Sequence, residues 1–141
     1  MKKGLVVMIG VILLSATALL AGISTDEAAS TLSSAIKSAG YNCNVEVEDY
    51  DKNGVMDFAI EYVGGGEGDK IIVLLAAVTG GVAGMLPNLD WKVDKVFVVV
   101  DEDVFSTTAS KCKMCMKVIE SDSSTEEEVK ECLKSIWSEK K

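Results

Sequence analysis

The chain of 141 residues contains no histidine, no arginine and no glutamine, and its one proline is Pro87. Without histidine there is no imidazole general base, no Ser-His-Asp or Cys-His pairing, no imidazole metal ligand and no Cys-x-x-Cys-His for haem attachment. Without arginine there is no guanidinium fork to clamp phosphate or carboxylate. All 14 basic residues are lysines, opposed by 22 Asp and Glu for a net charge of -8. An acidic, arginine-free chain excludes nucleic acid as a partner, because affinity for the phosphate backbone comes from counterion release by clustered Lys and Arg. Any metal must be held by carboxylates or thiolates, and these occur in two separate places, the loop 49–57 and the cysteines.

What is present begins with a leader. Met1-Lys2-Lys3 precedes the uncharged residues 4–22, the positive start and apolar run that the secretion machinery reads. Export to the cell envelope is therefore expected, with residues 1–22 acting as a signal peptide or transmembrane anchor and residues 4–22 meeting the membrane. Ala16-Thr17-Ala18 offers the small residues of a cleavage site, while the 19-residue run is long enough to span a bilayer of about 30 Å. Lys3-Gly4-Leu5 resembles the cleavage sites of archaeal pilin-like proteins, which implies a pilin-like subunit as an alternative. Residues 23–141 carry 12 lysines against 22 acids, a net of -10, and form one extracytoplasmic domain on length grounds.

A second uncharged run, residues 71–89, has two readings. As a buried helix it belongs to that domain, with Gly80 and Gly84 allowing close packing on a sheet. As a second transmembrane segment it makes a two-pass membrane protein, and the lysines fit that topology, three in residues 23–70 against nine in residues 90–141. The buried helix is favoured, because residues 23–70 alone are too few to sustain a core.

Elsewhere the local patterns are strong. Residues 25–39 open with Thr25 as the expected N-cap, place Ala28, Leu32, Ala35 and Ile36 at helical spacing, and stop at Gly40. Asn53-Gly54 reads as a two-residue hairpin turn, which sets Val47 opposite Ile60 and Val45 opposite Tyr62, with Glu46, Glu48 and Glu61 on the wet face. Residues 96–100 and 104–109 read as a second hairpin. Ser110 starts an amphipathic helix whose inner face is Cys112, Cys115, Met116 and Ile119, and Ser124-Thr125-Glu126-Glu127 starts a last helix carrying Val129, Cys132, Leu133, Ile136 and Trp137. The predicted fold is α+β, an antiparallel four-stranded sheet covered on one face by helices in the order α-β-β-α-β-β-α-α.

Two groups of residues carry chemistry. Asp49-Tyr50-Asp51-Lys52-Asn53-Gly54-Val55-Met56-Asp57 fits D-x-D-x-N-G-x-x-D and resembles, over nine residues, the calcium loops of EF-hands and dockerins. Side-chain oxygens of Asp49, Asp51, Asn53 and Asp57 and the Val55 carbonyl are the implied ligands, with calcium as the cofactor. Ile60 stands where an EF-hand has its bidentate Glu, and the flanks read as strands, so a true EF-hand is excluded. The alternative is a plain hairpin turn with solvated carboxylates.

Cys43, Cys112, Cys115 and Cys132 are an even count in an exported chain, which predicts two disulfides. If the last two helices form an antiparallel hairpin about residue 122, Cys112 pairs with Cys132 at mirror positions, Cys115–Cys132 is next, and Cys43 takes the remaining partner. A thiol-disulfide oxidoreductase using Cys112 and Cys115, a four-thiolate zinc site and unpaired thiols are the rival readings. The glycine-rich loop 64–68 lacks both nucleotide motifs and reads as a connection. Asp101-Glu102-Asp103 reads as an acidic turn, and no residue has the partners of a catalytic group. The expected role is a binding or structural one in the cell envelope.

Overall fold

Ser24 caps the first helix, α1 (Thr25–Ser38), one residue before the expected cap. Its hydroxyl accepts from the Glu27 amide at 3.2 Å while the Glu27 carboxylate accepts from the Ser24 amide at 3.3 Å, so two of the helix's orphan donors are satisfied reciprocally. The computed structural model describes residues 24–64, 68–121 and 123–140. The predicted leader, residues 1–22, and most of the glycine-rich loop lie outside the described residues.

The elements that follow are β1 (Cys43–Glu48), β2 (Met56–Tyr62), α2 (Gly68–Met85), a 3-10 turn (Leu86–Asn88), β3 (Val93–Val100), β4 (Asp103–Thr108), α3 (Ala109–Glu120), α4 (Glu126–Ile136) and β5 (Ser138–Lys140). Thr108, rather than Ser110, caps α3 by accepting from the Lys111 amide at 3.2 Å. Thr125 and Glu128 form the capping box of α4, one residue later than expected. Asp101-Glu102 is the tight turn between β3 and β4, with Asp101 at a φ of 54°.

The sheet corrects the expected architecture. It has five strands in the order β1-β2-β3-β4-β5, and it is mixed: β2 and β3 run parallel, the other neighbours antiparallel. The cause is α2. An 18-residue helix between β2 and β3 carries the chain back along the sheet, and such a crossover returns the next strand in the same direction. The fifth strand exists because α4 stops at Ile136 and Trp137 turns extended (φ -94°, ψ 123°), laying residues 138–140 along β4.

The β1–β2 register is also displaced. Val47 faces Phe58, Val45 faces Ile60 and Glu48 faces Asp57, which leaves residues 49–55 as a wide loop instead of a two-residue turn. Asp49 is the reason: its two carboxylate oxygens accept from the Asn53 amide at 3.0 Å and the Gly54 amide at 2.8 Å, fixing a larger curl. Gly54 takes a φ of 82°, which favours glycine, and Lys52 a φ of 55°. The shift is an even number of residues, so every side chain keeps its predicted face.

Phe58, Ile60, Val96 and Val98 on that face are fully buried, and the core continues through Leu32 and Ile36 of α1, Leu74, Val78, Val82 and Met85 of α2, Ile119 of α3 and Leu133 of α4. The run 71–89 thus supplies α2, which packs against α1, α3 and α4. Among the described residues, no helix is long and apolar enough to cross a membrane. Thr79, also fully buried, donates to the Leu75 carbonyl at 2.7 Å and accepts from the Trp137 indole at 3.0 Å, tying the C-terminal end of α4 to the central helix. Thr79→Val strands the indole N–H without its acceptor and is expected to lower the unfolding free energy by about 2 kcal/mol. Trp137→Phe on that background should show a coupling between the two sites in urea melts.

Candidate functional site

The loop 49–57 splits its predicted ligands into two groups. Asp49 is spent on the loop's own amides, and the Asn53 side-chain oxygen accepts from the Val55 amide at 3.0 Å. Val55 is half-buried. Asp51 and Asp57, by contrast, come together, and Asp94 from β3 joins them: one carboxylate oxygen from each lies within 4.8 Å of the others. This is the one set of three or more acidic or cysteine ligands so gathered among the described residues, and the four cysteines form no such set.

Strand pairing explains the meeting. The β2–β3 ladder pairs Met56 with Val93 and then Phe58 with Val96, so three residue steps of β3 oppose two of β2, an irregularity of the bulge type. The extra residue leaves the Lys95 amide out of the regular ladder, and Asp57 Oδ1 accepts from it at 3.0 Å. Asp57 is completely buried, and its second oxygen, Oδ2, has no hydrogen-bond partner. A buried carboxylate oxygen left in that state is costly, since it has given up water for nothing.

The surrounding field is acidic. Lys95 Nζ reaches Asp51 at 2.9 Å, and its ammonium is held above the usual lysine range first by that hydrogen bond and the Asp51 charge, then by Asp94 and Asp57. Three carboxylates therefore share one ammonium, which itself is well exposed. Sequence spacing points to Asp51 and Asp57 but not to Asp94; the available signal is the Asp94-Lys95 pair at the head of the apolar run 96–100.

The cysteines are distributed unevenly. Cys43 is buried in the edge strand β1, where its carbonyl accepts from Ser33 at 3.1 Å and burial pushes its thiol up to about 11. Cys112 is fully buried, and burial pushes its thiol up to about 12. Cys115, also fully buried, is raised further, by burial first and then by the neighbouring Cys132 and Cys112 thiols. Cys132 is half-buried on α4. Activated thiols sit at helix N-termini, partly exposed and beside cations. Cys112, at the end of the first turn of α3, and Cys115, one turn further on, are instead enclosed on its inner face, an environment that keeps a thiol protonated and inert.

Comparison of the chain with protein-family models, with curated proteins and with solved structures finds no match.

Proposed function

We propose that the chain is an exported α+β domain, held at or released from the membrane by residues 4–22, which serves as a binding component of the cell envelope and takes a divalent cation of the calcium class at Asp51, Asp57 and Asp94. The observation that carries the cation reading is the fully buried, unpartnered Oδ2 of Asp57 inside a cluster of carboxylates. A hard cation satisfies that oxygen and offsets the charge that Lys95 alone leaves uncompensated. Export is supported by Lys2 and Lys3 ahead of the apolar run. A single domain over residues 23–141 is supported by the burial of residues 74–82 of α2 inside the core. The inert setting of Cys112 and Cys115 favours a binding role over thiol-disulfide oxidoreductase activity.

Extracellular calcium modules bind at roughly 0.1–1 mM, so 10 mM calcium is expected to stabilise the domain by about 1.4 kcal/mol or more, a rise of about 4 °C in Tm. Calcium titration of the full chain in mild detergent, read by thermal shift, tests it. Asp57→Asn and Asp94→Asn should each abolish the rise, whereas Asn53→Ala should keep it. Absence of any shift at 10 mM calcium, or a full shift in Asp94→Asn, would refute the site.

A further inference from the structure

Lys95 meets the acidic cluster at two points. Its amide donates to Asp57 Oδ1 at 3.0 Å, a contact fixed by the backbone of β3. Its ammonium donates to Asp51 Oδ2 at 2.9 Å and so ties the loop 49–55 to β3. The second contact is far easier to break than the first. The side chains of Lys95 and Asp51 are 44% and 42% exposed, so the ammonium can swing into water with no opening of the fold, whereas Asp57 is completely buried.

The carboxylates already stand at the spacing a calcium ion needs. Calcium binds oxygen at about 2.3–2.6 Å, which puts two of its ligands at most about 5 Å apart, and one oxygen each from Asp51, Asp57 and Asp94 lies within 4.8 Å of the others. What has to move is Lys95. An ammonium and a divalent cation on the same carboxylate are like charges on the order of 5 Å apart, and they repel.

Resting on the cation reading of Asp51, Asp57 and Asp94, we propose that Lys95 is a tethered competitor for the ion: its ammonium pairs with Asp51 until a divalent cation displaces it into solvent, and this sets the calcium concentration at which the site fills. The two cations exclude one another at Asp51 and perform the same task, since each bridges the loop to β3. Lysine does so with one charge and leaves the buried Oδ2 of Asp57 without a partner. Calcium brings two charges and satisfies that oxygen. At micromolar calcium the tethered ammonium, always present beside its carboxylate, keeps Asp51. At the millimolar calcium of extracellular surroundings the ion takes its place.

Isothermal titration calorimetry of calcium into the full chain, in mild detergent and at low ionic strength where exposed charges are least screened, tests the competition. Lys95→Met removes the ammonium and keeps a linear side chain. It is expected to tighten the calcium Kd about fivefold, the upper end of what breaking an exposed ion pair is worth, and to lower the Tm measured with a chelator present by about 2 °C. A merely structural lysine would move both quantities for the worse, so the opposite signs are the signature. Lys95→Arg, which keeps the charge, should bind calcium like the wild type. In the wild-type chain, acetylation of Lys95, mapped by peptide mass spectrometry, should rise when calcium is added. A calcium affinity in Lys95→Met equal to or below that of the wild type, or Lys95 acetylation that calcium leaves unchanged or lowers, overturns the proposal while the site itself stands. Absence of calcium binding in both the wild type and Lys95→Met overturns the site and the proposal together. If Lys95→Met does not fold, the acetylation of the wild type decides.

Discussion

Phe58→Ala is expected to remove about 4 kcal/mol from the unfolding free energy. Phe58 is completely buried, and it is the largest of the fully enclosed side chains. It sits in β2 opposite Val47 on one side and Val96 on the other, between the antiparallel β1–β2 pairing and the parallel β2–β3 pairing. Its centroid is 6.1 Å from that of Trp91, tilted by 45°, and truncation to a methyl group removes this contact along with the transfer term. The position is hard to refill, because strands on both sides are hydrogen-bonded in fixed register and cannot close on the cavity. For a domain with a total stability of roughly 5–15 kcal/mol, such a loss takes a large share. Urea unfolding at neutral pH should show a lower midpoint with unchanged slope. Met114→Ala, at a side chain that is 64% exposed on α3, should by comparison move the stability by less than about 0.5 kcal/mol. A Phe58→Ala effect below about 1 kcal/mol would contradict the packing described for the sheet.

The contrast between these two positions shows which parts of the fold were legible in the sequence. Burial on a periodic element is a local property: Leu32 and Ile36, the inner face of α3 and the stripe of α4 follow from spacing, and all lie where spacing puts them. The faces of β1 and β2 were equally legible, because the displaced register is even and alternation survives it. Partner choice between distant segments was not. The parallel β2–β3 pairing had two local hints, a continuous apolar strand at residues 96–100 and a helix long enough for a crossover, but the wet face of the first hairpin argued for an all-antiparallel sheet. The turn departs from its local signal for a related reason. Asn53-Gly54 is a strong two-residue signal, yet Asp49 four residues upstream captures both amides and wins. Asp94 was invisible for the same nonlocal reason: β2 and β3 have to pair before it stands beside Asp57. β5 is three polar residues with no pattern, held in place by β4 alone.

The buried thiols make the stability of the domain sensitive to alkali, and the sign follows from their raised pKa values. A thiol titrates near 9.0 when exposed in the unfolded chain, whereas burial holds Cys43 at about 11 and Cys112 at about 12 in the fold. Below pH 9 both states carry the proton, so these residues impose no pH dependence. Above pH 9 the unfolded chain releases protons that the folded one retains, and stability falls with rising pH until the folded thiols also ionise, near pH 11 for Cys43 and 12 for Cys112. The slope is about 1.4 kcal/mol per pH unit for each fully buried thiol. Tyr41, raised by burial and then by Tyr62, adds to the fall above pH 10, as does Lys95, whose stabilising charge is lost at high pH. Those groups are common to the wild type and to Cys112→Ala, so the difference between the two isolates the thiol. Chemical unfolding at half-unit steps from pH 8 to 11 is expected to show the wild type losing its advantage over Cys112→Ala progressively above pH 9; parallel curves across that range would show that the Cys112 thiol is not enclosed as described.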